Sequence, residues 1–179
     1  MMKPLSWAKR MKQFSTDKKE SRKSRWKRFQ FNLFPAYRRT GAKVEFISGD
    51  WMEVHISLRL KWSTRNYVGT VFGGSIYAAL DPIYMLQLIH ILGKDYVVWD
   101  KRAEIHFIRP IKKKVTARFL LNSDQIEQIK KDVAEQKEVD FDLQVRFQNS
   151  AGKTHALVNK TLYVSERSYY QDKIKKRKS

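Results

Sequence analysis

The sequence predicts an α+β fold in which an antiparallel sheet of about six strands wraps around one long central helix. Six segments carry strand-like apolar patterns, and the clearest of them alternate apolar and polar residues as half-buried strands do. One stretch, residues 75–93, is apolar nearly all round, which is typical of a helix buried inside a protein. With 179 residues, 42% of them hydrophobic, the chain is large enough to bury one such core.

The first predicted element is a helix from about Arg25 that ends before Pro35 and places its aromatic residues on one face. Two strands follow, residues 43–47 and 51–60, joined by the turn residues 48–50. The second strand alternates cleanly, so we expect one of its faces to be buried. The buried helix comes next and, with fewer than about 20 apolar residues, is expected to be too short to span a bilayer.

Four further strands complete the predicted sheet, and none of the segments is an internal repeat of another. They cover residues 96–108, 115–121, 139–147 and 154–164. An amphipathic helix over residues 123–134 is inserted between the second and third of these strands. The turn at residues 149–152 joins the last two as a hairpin. One face of this sheet can then cover the central helix, and the other is left to solvent or a partner chain.

The net charge of +19 is concentrated at the two ends of the chain. Residues 1–40 carry +11 and residues 167–179 carry +5, so the middle is nearly balanced. We therefore divide the chain into a basic N-terminal arm (1–24), one domain (25–166) and a basic C-terminal tail (167–179). The absence of cysteine excludes disulfides, thiolate metal sites and a cysteine nucleophile.

The most informative segment is the glycine-rich stretch that opens the buried helix. Gly73 and Gly74 leave backbone N–H groups at the positive end of the helix open to a substrate carbonyl, which suits an oxyanion hole. Asp81 lies two turns further on, on roughly the same face. An acid among apolar neighbours is a candidate general base or nucleophile. Asp81-Pro82 is equally consistent with the cap of a second helical segment, and the two roles are compatible.

At these residues the chain resembles the hotdog thioesterase superfamily, and in particular the acyl-CoA thioesterases of phenylacetate pathways. The pattern of that branch is an Asn, then G-T-x-H-G-G, then an Asp. This sequence carries it at the following positions: Asn66, Gly69, Thr70, Gly73, Gly74 and Asp81. The stretches GTVFGGSIYAALDPIYM and YVVWDKRAEIHFIRP are similar to an uncharacterised subfamily of thioesterase-like hotdog proteins. The resemblance covers about residues 25–165.

The resemblance implies hydrolysis of acyl-CoA in sites formed between the subunits of a dimer or a dimer of dimers. It implies that Asp81 activates water or attacks the thioester, that the Gly73 N–H polarises the carbonyl, and that Asn66 orients water or thioester. Phe72 stands where the branch has His, so one polar group is missing, although the backbone amides remain. A polar residue from the following strand often completes such sites, and Asp100 aligns there; a surface ion pair is its alternative role.

Substrate contacts are expected around the same segment. Thr70, Phe72 and Gly74 would lie against the thioester. The candidates to attract the anionic coenzyme A are Arg65, Arg102 and Arg109. For each of them taken alone, a position on the solvated surface without a substrate contact is the preferred alternative. We expect no cofactor apart from the coenzyme A that forms part of the substrate.

Other site chemistries are disfavoured by spacing. The four histidines are scattered singly, so we expect no metal site. The glycine-rich segment lacks the lysine of a phosphate loop, and Ser75 is not in a G-x-S-x-G elbow.

The basic arms have three alternative roles: a membrane anchor, a nucleic-acid contact or a solubilising extension. Trp7, Met11 and Phe14 among lysines favour an anionic lipid surface. Nucleic acid is a weaker expectation, because the domain carries no recognisable binding motif. We expect a cytoplasmic enzyme, and the basic arm would allow a peripheral position at the inner membrane surface. The alternative function is a noncatalytic acyl-binding or scaffolding protein of the same fold.

Overall fold

The computed structural model describes residues 18–178, so the proposed lipid contact of the N-terminal arm lies outside the described part of the chain. The helices are α1 (Arg22–Leu33), α2 (Pro35–Arg39), α3 (Gly73–Leu92), α4 (Ser123–Gln136) and α5 (Arg167–Lys178). The strands are β1 (Lys43–Ile47), β2 (Glu53–Leu58), β3 (Tyr96–Phe107), β4 (Val115–Leu120), β5 (Glu138–Gln148) and β6 (Thr154–Glu166).

All six strands form one antiparallel sheet in the order β1-β2-β4-β5-β6-β3, which confirms the predicted α+β architecture. The core contains apolar residues from all six strands and from the central helix α3. In β6 the inward-facing row is buried from Ala156 to Val164, and its apolar members are Ala156, Val158, Leu162 and Val164. The central helix is therefore covered by the concave face of the sheet.

The central helix is longer than the sequence predicted. Gly73–Leu92 spans 20 residues, and by length and composition this helix could cross a membrane. The expectation that it is too short to do so is therefore wrong. Here its apolar surface is covered by the sheet, with Ala79, Leu80 and Leu88 fully buried.

Pro82 lies inside α3, and the helix continues through it. Asp81 consequently does not cap a second helical segment, which was one of its two predicted roles. The other predicted role of its side chain, as a general base or nucleophile, remains.

The two ends of the described chain pack against the sheet. Helix α1 begins at Arg22, within the residues assigned to the arm, because Ser21 and Ser24 form a reciprocal capping box. The basic tail from Arg167 forms helix α5, whose first residue donates hydrogen bonds to the main-chain oxygens of Lys94 and Tyr96.

The two edge strands of the sheet differ in whether their outer main-chain groups are hydrogen-bonded. On the β1 edge, the Asn32 side chain of α1 bonds both the N–H and the C=O of Val44, at 2.8 and 2.9 Å. Glu20 accepts a further bond from the Ile47 N–H at 3.1 Å. These side chains cover the strand edge as a neighbouring strand would. At the opposite edge, β3 runs for 12 residues and, within the described chain, pairs with β6 alone.

Candidate functional site

The start of the central helix is open to a ligand. Phe72 occupies the N-cap position and makes no side-chain cap. Its apolar ring cannot accept a hydrogen bond, so the first-turn N–H groups of Gly73, Gly74 and Ser75 have neither a capping side chain nor an intrahelical acceptor. Such a helix start attracts a partial negative charge, and the oxyanion role of the Gly73 amide stays a prediction.

Two aromatic rings lie against the glycine pair, on the sides where side chains would project. A Cβ atom at Gly73 would lie 3.2 Å from the Phe107 ring, and one at Gly74 would lie 2.4 Å from the Phe72 ring. The absence of side chains therefore lets both rings lie directly against the backbone. Phe72 and Phe107 are each more than half exposed, so they present an apolar surface beside the amides.

The loop before the helix is held together by Asn66 and Thr70. The Asn66 side chain accepts from the Thr70 N–H and donates to the Thr70 hydroxyl, both at 2.8 Å. The Asn66 N–H also donates to the Thr70 carbonyl at 2.8 Å. Asn66 thus shapes the loop that leads to Phe72, with one amide N–H remaining for a substrate or water. Thr70 is buried, so it supports this loop from within.

Asp81 has defined partners. Its Oδ1 accepts a hydrogen bond from the Tyr77 hydroxyl and another from Lys160 Nζ, both at 2.8 Å. Burial raises the pKa of Tyr77, and the bond to Asp81 adds to that rise, so the phenol remains a donor. The Asp81 side chain is 40% exposed, and both of these hydrogen bonds are made by Oδ1.

The structure places a cation where the sequence predicted only apolar neighbours. Lys160 of β6 is fully buried, and its ammonium lies 2.7 Å from Asp100 Oδ1 as well as against Asp81. Asp100 and Asp81 thus share one lysine. Desolvation raises the pKa of Asp100, the ion pair with Lys160 opposes that rise, and the charge of Asp81 adds to it.

Lys160 was missed in the sequence, although a signal for it exists. The residues at every second position around it, Val158 and Leu162, face inward and are fully buried. A lysine in the same row must also face inward, where an unpaired charge is strongly unfavourable. The alternation of β6 therefore predicts an acidic partner for Lys160 in the core.

The two predicted chemical groups lie at different points along the central helix. Eight residues separate Gly73 from Asp81, which corresponds to about 12 Å along the axis. Gly73 lies against Phe107, the last residue of β3, whereas Asp81 lies against the Asp100 cluster in the first half of that strand. The donor and the acid of one chain therefore face opposite halves of the same edge strand.

The three candidate arginines fall in two places. Arg65 lies beside Gly69 in the loop before α3, and Arg109 follows Phe107 and donates to the Thr154 carbonyl at 2.6 Å. Both are therefore near the start of the helix. Arg102 is exposed further along β3, on a groove that it shares with Glu104 and Asp142.

A mainly apolar groove of about 630 Å³ extends from the acidic cluster toward the end of α3. It begins at Met85, one turn beyond Asp81, and at Trp99, next to Asp100. Its outer wall is helix α5, which contributes Tyr170 and Ile174. A volume of this size is typical of small-molecule sites.

Between residues 18 and 178, no group of three or more histidine or acidic side chains is arranged to hold a metal ion.

The fold defines the class of protein, since a six-stranded antiparallel sheet wrapped around one central helix is the hotdog fold. Solved structures with this likeness include a protein from Pseudomonas aeruginosa described as of unknown function and a probable thioesterase, with TM-score 0.70 and 15% identity, over 80% of this chain and 96% of that one. Another is a protein of unknown function from Chlorobaculum tepidum, with TM-score 0.65 and 17% identity, over 80% and 94%. A thioesterase from Haemophilus influenzae has TM-score 0.56 and 17% identity, over 76% and 87%.

The chain belongs to the family described as Domain of unknown function (DUF4442), whose model matches residues 22–164. No curated protein matches the sequence. The family match includes α1 and ends before α5, so the outer wall of the apolar groove lies beyond it.

Proposed function

We propose that this protein hydrolyses acyl-CoA or related acyl thioesters. The observation that carries the proposal is Asp81, an acid on the central helix whose Oδ1 is held by Tyr77 and Lys160 while its side chain remains 40% exposed. The uncapped start of α3 supplies the complementary donor for a developing oxyanion. The description of fold neighbours as thioesterases, and the motif from Asn66 to Asp81, support the same reaction.

The active site is completed by a second copy of the chain. About 12 Å along one helix is too far for Gly73 and Asp81 to act on the same carbonyl. Antiparallel pairing of two β3 edges would bring the Phe107 end of one strand against the Asp100 half of the other. The oxyanion donor of one copy then approaches the acid of its partner, which gives two equivalent sites in a dimer.

The reaction can proceed with Asp81 as general base. The Asp81 carboxylate removes a proton from water as the water oxygen bonds to the thioester carbonyl carbon, and the carbonyl electron pair moves to oxygen. The Gly73 N–H stabilises that oxyanion. When the oxyanion collapses, the C–S bond breaks and the coenzyme A thiolate takes the proton from Asp81. The products are the carboxylic acid and the thiol.

Asp81 can instead act as the nucleophile. Its carboxylate would attack the carbonyl, expel the thiolate and form a mixed anhydride that water then hydrolyses. A single turnover in ¹⁸O-labelled water separates the two routes. In the nucleophilic route, water that attacks the Asp81 carbonyl of the anhydride leaves its oxygen in the Asp81 carboxyl group. The label then enters the Asp81 carboxyl only if an anhydride forms.

The substrate has an anionic and an apolar part, and each has a candidate surface. Arg65 and Arg109 lie near the start of α3, where they can attract the phosphates of coenzyme A. The groove between α3 and α5 is suited to the acyl chain, because it starts beside the acidic cluster and is lined mainly by apolar residues.

Two variants test the proposal. Asp81→Asn removes the base, so kcat on acyl-CoA should fall by about 10²–10⁴-fold. Gly73→Pro removes the N–H donor at a position where the backbone accepts proline, because proline is favoured at the first helical position and Phe72 already has extended backbone angles. Its Cβ also lies 3.2 Å from the Phe107 ring, so Gly73→Ala, which adds the same Cβ and keeps the N–H, is the variant to compare it with. A fall of about 10²–10³-fold is expected for Gly73→Pro.

The matched control is Asp140→Asn, which removes an exposed carboxylate paired with Lys101 on the same sheet. It should leave the rate unchanged. Wild-type turnover that persists in Asp81→Asn would contradict the mechanism.

One observation favours a second candidate function, a noncatalytic acyl-binding protein. Phe72 places an apolar ring at the helix start where the resembled branch has a histidine. A panel of acyl-CoAs from butyryl to palmitoyl separates the two functions. Binding without turnover of any member supports the acyl-binding protein.

A further inference from the structure

Lys160 is unusual because its whole side chain is excluded from solvent. Lysines are almost never fully buried unless they are paired, since desolvating the ammonium is strongly unfavourable. Here the compensation comes from two aspartates on two different elements, Asp81 on α3 and Asp100 on β3. A buried cation at a proposed catalytic carboxylate requires a chemical explanation.

The contacts of the ammonium show which role it can have. The ammonium donates hydrogen bonds to Asp81 Oδ1 and to the main-chain oxygen of Asp81, and it forms an ion pair with Asp100 Oδ1 at 2.7 Å. The Lys160 side chain is fully buried behind these oxygens, so it cannot reach a substrate as a base or a nucleophile. It instead fixes Asp81 by two atoms, with Tyr77 on the same carboxylate oxygen.

The groups that face Lys160 make one charge cluster. The titratable ones are Tyr77 and Asp81 from α3 and Asp100 from β3. Its neighbours across the sheet, Ala103 of β3 and Leu143 of β5, carry no charge. Two carboxylates therefore share a single cation, and a change at any one of the three alters the charge balance of the others.

We propose that Lys160 is the positioning residue of the site, holding the Asp81 carboxylate with one oxygen free for the reaction, and that Asp100 is the acid that balances its charge. This inference rests on the proposed hydrolase function. Asp100 acts through Lys160 and makes no contact with the thioester.

The first test replaces the cation. Lys160→Met leaves two carboxylates without their shared partner, so ionisation of the pair becomes harder. At neutral pH kcat should fall by about 10²-fold, and the acidic limb of the rate profile should move to higher pH. Lys160→Arg keeps the charge and should retain the position of that limb. The control Lys137→Met breaks an exposed ion pair with Glu166 and should change neither quantity.

The second test restores the charge balance. Lys160→Met with Asp100→Asn removes one cation and one carboxylate together, so the net charge of the cluster returns to its original value. The acidic limb should return toward that of the wild type, with at least tenfold recovery of the rate. A merely structural role for Lys160 predicts additive losses and no return of the limb.

A third measurement separates this inference from the hydrolase proposal. Side-chain ¹³C NMR follows the titration of Asp81 and Asp100 in the wild type and in Lys160→Met, whether or not the protein turns over a thioester. Coupled titration that shifts upward in Lys160→Met supports the cluster even in a protein without activity. Unchanged carboxyl titrations in Lys160→Met, or full activity with an unmoved pH profile, would overturn the inference.

Discussion

At the scale of single residues, Asp100 should give the protein a pH dependence of stability that can be isolated by substitution. Desolvation raises its pKa above the ordinary value, so the folded state binds this proton more tightly than the unfolded chain does. The contribution of Asp100 to the free energy of unfolding therefore decreases as pH rises from about 3.8 toward the raised value. Urea unfolding at a series of pH values measures it.

Asp100→Asn lacks this titration. As pH rises through that window, the wild type should therefore lose free energy of unfolding relative to the variant. Asp140→Asn, which removes an exposed carboxylate, serves as the control. A difference that is constant with pH would contradict the assignment of a raised pKa to Asp100.

The site could be predicted in part from single residues. Asp81 is recognisable because it is the one acid in a long apolar stretch, and Gly73 because a glycine pair opens that stretch. The partnership of Asp81 with Lys160 could not be predicted, because 79 residues separate them. Only the pairing of strands brings β6 beneath the middle of α3. Asp100 was placed by a resemblance, and the structure adds the lysine that links it to Asp81.

At the scale of elements, the strands and helices were predictable because their periodicities are strong. Apolar side chains recur at every second residue in β5 and β6, and the central helix is apolar on all sides. The order of strands in the sheet was not predictable from local pattern, since the paired residues of β3 and β6 lie 49 to 70 positions apart in the chain. Helix α5 was not predicted either, because its sequence is basic and has no clear apolar face.

Helix α5 should determine the acyl chain length if the groove holds the acyl chain. Ile174→Trp fills the groove from its outer wall without altering the core. We expect kcat/KM for dodecanoyl-CoA to fall by about tenfold or more, because each buried CH₂ contributes about 0.8 kcal/mol. The value for butyryl-CoA should remain nearly unchanged.

Leu33→Trp is the matched control, because Leu33 is exposed on α1, outside the groove. Equal losses on long and short substrates in Ile174→Trp would place the acyl chain elsewhere. Calorimetric binding of the thioether analogue dodecyl-CoA tests the groove independently of turnover.

At the scale of the whole molecule, the proposed pairing of β3 edges makes a complementation experiment possible. Asp81→Asn and Gly73→Pro chains should each be inactive, but a heterodimer of the two retains one intact site. Random reassortment of an equal mixture should restore about one quarter of the wild-type activity, since half of the dimers carry one working site out of two. Light scattering with size-exclusion chromatography measures the oligomeric state in parallel.

Failure of the mixture to recover activity, although both variants form dimers and exchange subunits, would show that each site lies within one chain. A monomeric wild type would contradict the shared site directly. The mixture of wild type with either variant should keep about half of the wild-type activity whether or not subunits exchange, so it controls for inhibition by the variant chain.

The closed edge at β1 has a consequence for assembly. Asn32 and Glu20 occupy the main-chain groups that another strand would need. Two copies joined through β3 would form a continuous sheet whose two outer margins are both blocked. Edge-to-edge growth of the sheet then stops at the pair, which protects a protein with a long bare strand from forming fibres.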